Sequence, residues 1–177
     1  MTSKTRTDRS SPHARAWAAF LRAHSVLIGR LEGELAQEEA LPLTWFDVLI
    51  QLHKAGGSLR MGQLADRLVL SRSGITRLID RMAAEGLVKR RACPTDRRVS
   101  FAVLTDKGAE RLDAATPVHA RGIREHFARH LTRQEAAQLA VLLDKVLRGA
   151  RGGEAPAGHG GDGSVTRTVR ERGSASA

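Results

Sequence analysis

Residues Ser71–Thr105, SRSGITRLIDRMAAEGLVKRRACPTDRRVSFAVLT, decide how this chain is read. Ser71 or Ser73 can open a helix, because a serine oxygen accepts one of the orphan first-turn N–H groups. Ile75, Leu78, Ile79 and Met82 follow at spacings of three and four, which places them on one buried face. The opposite face carries Arg72, Ser73, Thr76, Arg77 and Asp80, short and polar, with no aromatic ring to obstruct close approach. Gly86 stands where a helix C-cap belongs. Leu87 to Arg91 and Val99 to Leu104 then read as two short strands. Ala92-Cys93-Pro94-Thr95-Asp96-Arg97-Arg98 joins them as a turn-forming, arginine-tipped loop.

A helix followed by a basic β-hairpin has the outline of a winged helix-turn-helix. Its charge agrees: residues 71 to 98 hold eight Lys/Arg against three acids, a net of +5, half of the chain's formal +10. Such a basic stripe is the electrostatic footprint of a polyanion. Phosphate contacts would give affinity, and the helix face would read sequence.

The segment resembles the DNA-binding domain of the MarR family of bacterial transcription regulators. The resemblance is carried by Asp96-x-Arg98 followed, after five residues, by Leu104-Thr105, the family's wing signature, and extends from about Ala16 to Arg148. It implies homodimers made by helices from both ends of the chain. It also implies release from DNA by a small, often aromatic or phenolic, effector, and a wing in which Asp96 and an arginine act as a pair.

The flanks fit this arrangement. Residues 1–12 are polar and basic and read as a disordered arm. From about His13 to Gln37, Trp17, Phe20, Leu21, His24, Leu27, Ile28, Leu31 and Leu35 form one apolar helical stripe that needs a partner. Thr44-x-x-Asp47 looks like a capping box for a second helix, with Phe46, Leu49, Ile50 and His53 inward. Ser58-Leu59-Arg60 can add a third strand to the hairpin, and Met61 to Leu68 is the first helix of the helix-turn-helix. A long helix from Thr105 or Asp106 to about His130 should kink at Pro117. Thr132-x-x-Glu135 opens a last helix with Leu139, Leu142, Leu143, Val146 and Leu147 on one face, and Gly149 should end it. Residues 151–177, with seven glycines, read as a disordered tail. The expected fold is therefore mainly α with a small β-hairpin wing (α+β). A winged helix-turn-helix over 41–104 would be flanked by a helical dimerisation region at 13–40 and 105–150.

Composition narrows the function. Hydrophobic residues make up 41% but aromatics only 3%, so the core must be aliphatic and suits helices. One cysteine leaves no disulfide framework, and neither a membrane-length apolar run nor a signal-peptide pattern is present, so a cytoplasmic protein without membrane contact is expected. No hydrolytic triad, phosphate loop or paired-carboxylate motif stands in a convincing context, so no enzyme, cofactor or metal is expected.

Double-stranded DNA is the expected partner, with a homodimer and a small-molecule effector completing the assembly. If the helix from Ser71 enters a major groove, its first turns lie nearest the bases, which makes Arg72, Ser73, Thr76 and Arg77 the readers. Asp80 should orient an arginine. Arg97 and Arg98 would reach an adjacent minor groove or its phosphates, with Asp96 holding one of them. Arg60, Lys89, Arg90 and Arg91 are phosphate anchors. His119, His126 and His130 lack partners that would complete a metal site, while His24 and His53 are expected on inner faces. Trp17, Phe46 and His24 are candidates for an effector pocket. Cations flanking Cys93 could lower its thiol pKa. A sequence-tolerant architectural DNA binder would use the same charge and stays open as the alternative.

Overall fold

The computed structural model describes residues 11–93, 95–96 and 99–150. The arm up to Ser10, Arg97, Arg98 and the tail from Arg151 lie outside the described residues. Helix α1 spans Pro12–Glu39. It starts earlier than the sequence periodicity indicates, because Ser11 accepts the Ala14 N–H at 3.2 Å and Pro12 takes the first turn, where its missing N–H costs nothing.

Helix α2, Leu43–Lys54, corrects one expectation. Thr44 is exposed and already inside the helix, so the Thr44/Asp47 capping box does not form. Pro42 occupies the cap position, and the Leu43 N–H donates to Glu32 Oε2 of α1 at 2.9 Å. A carboxylate eleven residues upstream thus caps the helix and ties it to α1. Asp47 sits half-buried beside it, its carboxyl held above the usual range by burial and then by the Glu32 charge. His53 faces solvent, another correction, whereas Phe46 and Leu49 are buried as expected.

Strand β1 (Ser58–Arg60) leads into helix α3 (Met61–Leu68), then helix α4 (Arg72–Ala84), strands β2 (Val88–Ala92) and β3 (Ser100–Leu104), and helix α5 (Asp106–His126). The sheet order is β1-β3-β2, antiparallel throughout, so the three-residue β1 does join the hairpin. A 3₁₀ turn at Ala128–His130 follows α5, which ends earlier than expected. Pro117 lies inside α5 without ending it.

The core is aliphatic, as the composition demands. Leu49 and Leu52 of α2, Leu64 of α3, Ile75, Ile79 and Met82 of α4, and Leu112 of α5 are at most 2% exposed. Leu35 at the end of α1 joins them. Three contacts bind the last turns of α1 to α5: Glu34 with His126, Glu38 with Arg121, and Glu39 with Arg111. The remaining helix, α6 (Arg133–Ala150), belongs from Gln134 onward to a separate unit and continues through Gly149. Val141, Leu142, Val146 and Leu147 on it are all exposed.

One junction fixes the position of α4. α4 ends in a Schellman turn, with Gly86 at φ +74°, its N–H on the Ala83 carbonyl and the Leu87 N–H on the Met82 carbonyl. Thr105, the cap of α5, donates its hydroxyl to the Gly86 carbonyl at 2.7 Å and accepts the Gly108 N–H at 3.0 Å. Gly108 is there because nothing larger fits: a Cβ would lie 2.0 Å from the Leu87 carbonyl oxygen and 2.9 Å from Leu104 Cδ1. Gly108→Ala is expected to lower the unfolding free energy by about 2–3 kcal/mol, the scale of overpacking a close-packed site. Urea denaturation followed by far-ultraviolet circular dichroism measures it.

Candidate nucleic-acid interface

Helix α4 divides along its length as its sequence predicts. Ile75, Leu78, Ile79 and Met82 are buried, while Arg72, Ser73 and Arg77 are exposed and Thr76 half-buried on the other side. Ser71 is the cap, accepting the Gly74 N–H at 3.1 Å, with Ser73 Oγ 3.2 Å from its oxygen. Thr76 donates its hydroxyl to the Arg72 carbonyl at 2.9 Å, which leaves its oxygen lone pairs outward. Arg72 and Arg77 therefore offer forked donors beside hydroxyls, a set suited to base edges and phosphates.

A concave surface of about 440 Å³ separates this face from the wing. It is lined by Arg60, Gly62 and Gln63 where α3 begins, by Arg72 and Thr76 of α4, and by Val99 and Ser100 of the hairpin. Arg60 precedes α3, its backbone N–H donating to Gln63 Oε1 at 3.3 Å. Helix α4, the wing and Arg60 thus border one groove.

Strand alternation sorts the wing arginines into two roles. Arg90 pairs with Ala102, and Ala102 is fully buried, so Arg90 leaves β2 on the face turned to the core. At the sheet edge it meets Asp80 of α4, Nη1 to Oδ1, at 2.8 Å. Asp80 does orient an arginine, and that arginine is Arg90, which bridges the wing and α4. Lys89 and Arg91 leave the strand on the outer face and are exposed. Arg91 and Arg60 both stand over the ring of Phe101, at 5.5 and 5.9 Å from its centroid. Phe101 is not among the residues the sequence singles out; its alternation with Ala102 is the signal that places it on the outer face.

At the hairpin turn the Cys93 N–H donates to the Val99 carbonyl at 2.9 Å, and the Val99 N–H to that of Asp96 at 3.0 Å. Asp96 is exposed there; Arg97 and Arg98 lie outside the described residues. The Cys93 thiol is held below its usual range by hydrogen bonding to the Thr95 hydroxyl and to the backbone at Thr95 and Asp96.

The histidines have other roles. His119 stacks on buried Phe46, centroids 4.3 Å apart, and burial holds its pKa below the usual value. His126 contacts Glu34. His24 is exposed on α1 rather than core-facing, and it borders an apolar cavity of about 330 Å³ with Leu27, Ile28, Leu31, Ile123, His126 and Phe127. Phe46 and Trp17 do not line that cavity. Among the described residues no group of three or more His, Cys, Asp and Glu is placed to hold a metal, and no helix is long and apolar enough to cross a membrane.

The family model described as MarR family matches residues 41–99, from α2 through the hairpin. The HTH-type transcriptional regulator YkoM of Bacillus subtilis is 37% identical over 110 residues, spanning 62% of this chain and 70% of that protein. The crystal structure of AbsC, a MarR-family regulator of Streptomyces coelicolor, superposes with a TM-score of 0.74 at 32% identity, covering 78% of this chain and 94% of that one. The chain belongs to the MarR family. A second Streptomyces coelicolor MarR-family regulator, Sco3205, solved in complex with DNA, superposes with a TM-score of 0.75 at 29% identity over 82% of this chain and 92% of that one. The protein is accordingly a winged-helix transcription regulator of the DNA-binding kind and not an enzyme.

In this MarR-family protein the Asp80–Arg90 pair is half exposed on both sides, so its net contribution to stability is small. Asp80→Asn is expected to change the unfolding free energy by less than about 1 kcal/mol, yet to speed amide hydrogen exchange in β2. Urea titration beside exchange mass spectrometry separates the two effects.

Proposed function

We propose that this MarR-family protein is a homodimeric, sequence-specific repressor of transcription acting in the cytoplasm on a pseudo-palindromic operator. The observation that carries the proposal is the exposed face of α4. It has two forked cations and two hydroxyls with no aromatic obstruction, opposite a fully buried face, and it is braced to the wing by Asp80–Arg90. In the proposed complex this face, from Ser71 to Arg77, enters a major groove, with Arg72 and Arg77 taking base edges and Ser71, Ser73 and Thr76 serving bases or sugar-phosphate oxygens. Arg60 grips phosphate beside it. The wing, with Asp96, Arg97 and Arg98 by their match to the family's wing motif, reaches the neighbouring minor groove.

Residues 41–104 form the reader in this proposal, and 13–40 with 105–150 the dimerisation region. Exposed apolar side chains support the pairing: Trp17 is 61% exposed, and Phe20, Leu21, Val141 and Val146 are exposed too, more than isolated surface hydrophobics require. Two readers related by the dimer axis would enter major grooves about 34 Å apart. A small, largely apolar effector in the α1–α5 cavity, whose volume of about 330 Å³ suits such a ligand, would favour a dimer with a different reader spacing and so release DNA.

Binding titrations over a range of salt, with the protein's own upstream region against a scrambled duplex, test the reading. The upstream duplex is expected to bind at least about a thousandfold tighter. Arg77→Ala should remove about 1–3 kcal/mol of that discrimination. Equal affinity for both duplexes, with random-sequence selection recovering no preferred site, would replace this reading with a sequence-tolerant architectural binder. Leu142→Glu with Val146→Glu should shift the protein from dimer to monomer in sedimentation equilibrium without unfolding its helices, because each buries a carboxylate in the proposed apolar interface.

A further inference from the structure

One rung of the sheet holds three side chains in a row. The register sets Phe101 of β3 opposite Arg60 of β1 on one side and opposite Arg91 of β2 on the other. All three leave the sheet on its outer face, since their neighbours Leu59 and Ala102 are buried on the inner one. Both guanidinium carbons stand within 6 Å of the ring centroid, at 5.9 Å for Arg60 and 5.5 Å for Arg91. That is the range in which a cation is attracted to the aromatic quadrupole.

Two like charges flanking one site repel, and two long side chains lose rotamer entropy when either grips a phosphate. A ring between them opposes both effects, because its negative π face draws each guanidinium and restricts it before DNA arrives. Neither arginine is used in an ion pair among the described contacts, whereas Arg90, next to Arg91 in β2, is paired with Asp80. Arg60 also borders the groove between α4 and the wing, so the cation pair lies beside the reader face.

We propose that Phe101 is a positioning residue for DNA binding: it preorganises Arg60 and Arg91 as a matched pair that grips the phosphate backbone. This rests on the placement of Arg60 and the wing against DNA proposed above. Backbone contacts carry no sequence information, so the contribution of Phe101 is to affinity on any duplex and not to discrimination.

The distinguishing signature is affinity without a change of salt slope. Phe101→Leu keeps both cations, so about as many phosphates are neutralised as in the wild type. It is expected to weaken binding to a mixed-sequence duplex by roughly tenfold, from two lost cation–π contacts, at an unchanged slope. Arg60→Ala and Arg91→Ala should each lower the slope of log affinity against log salt by about 0.9. In the Arg60→Ala/Arg91→Ala background, Phe101→Leu should have no further effect. Phe101→Tyr, which keeps the ring, should bind as the wild type does and guards against loss of folding. A tenfold loss that persists in the double-arginine background would make Phe101 a packing residue and overturn the proposal, as would wild-type affinity in Phe101→Leu. Were the placement of Arg60 and Arg91 itself wrong, their alanine variants would keep the wild-type slope, a result separable from the other two.

Discussion

The Leu87 carbonyl is the point on which the rest of the molecule turns. It lies just past the Schellman turn of α4, accepts the Thr105 N–H at 3.3 Å, shares at 2.9 Å the single Thr105 hydroxyl proton with the Gly86 carbonyl, and rests against Gly108. The end of the reader helix, the start of β2, the end of β3 and the first turn of α5 are thereby fixed to one another by groups that cannot move independently. Close packing of backbone on backbone transmits displacement rather than absorbing it. A shift of α5 must therefore carry the base of the wing and the end of α4 with it. In the proposed regulator, that rigidity would let a helix remote from DNA govern where the α4 face stands.

The wing is built on the same economy. In LVKRRA the side chains alternate, so neighbouring arginines of one strand do different jobs: Arg90 turns inward to Asp80, and Arg91 turns outward to Phe101. The inward pair gives little net stability at its exposure, but it limits how the hairpin rocks against α4. The outward set leaves cations facing solvent. Charge that is wholly consumed in internal pairs could not bind a polyanion, and charge that is wholly free would leave the wing unbraced. Alternation with a period of two supplies both from a five-residue strand.

Where the signal was local, the sequence was readable. Ser71, the apolar spacing of Ile75 to Met82, Gly86 and Thr105 each mark an end or a face within a few residues, and the helix-turn-helix and wing follow them closely. Two features depend on contacts distant in sequence and escape a local reading. The cap of α2 comes from Glu32 on α1, so the nearby Thr44 and Asp47 suggested a box that the chain does not use. The Phe101 rung needs the register of β1, a three-residue strand whose pairing no local pattern dictates.

Helix α1 shows why dimerisation and DNA reading belong together in the proposed regulator. Its 28 residues make a rod of about 42 Å. Only the last turns are tied down, by Glu32 to α2 and by Glu34, Glu38 and Glu39 to α5, and only Leu35 is fully buried. Trp17, Phe20 and Leu21 lie exposed toward the other end. An isolated helix end of this kind frays, since helical stability in proteins comes mostly from packing an apolar face. In the proposed dimer a second copy supplies that packing, and the anchored end of the same rod meets α5, whose first turn clamps the reader. The distance between two readers is then set by how two such rods pack. A ligand seated between α1 and α5 would act on that packing directly, without touching α4 or the wing.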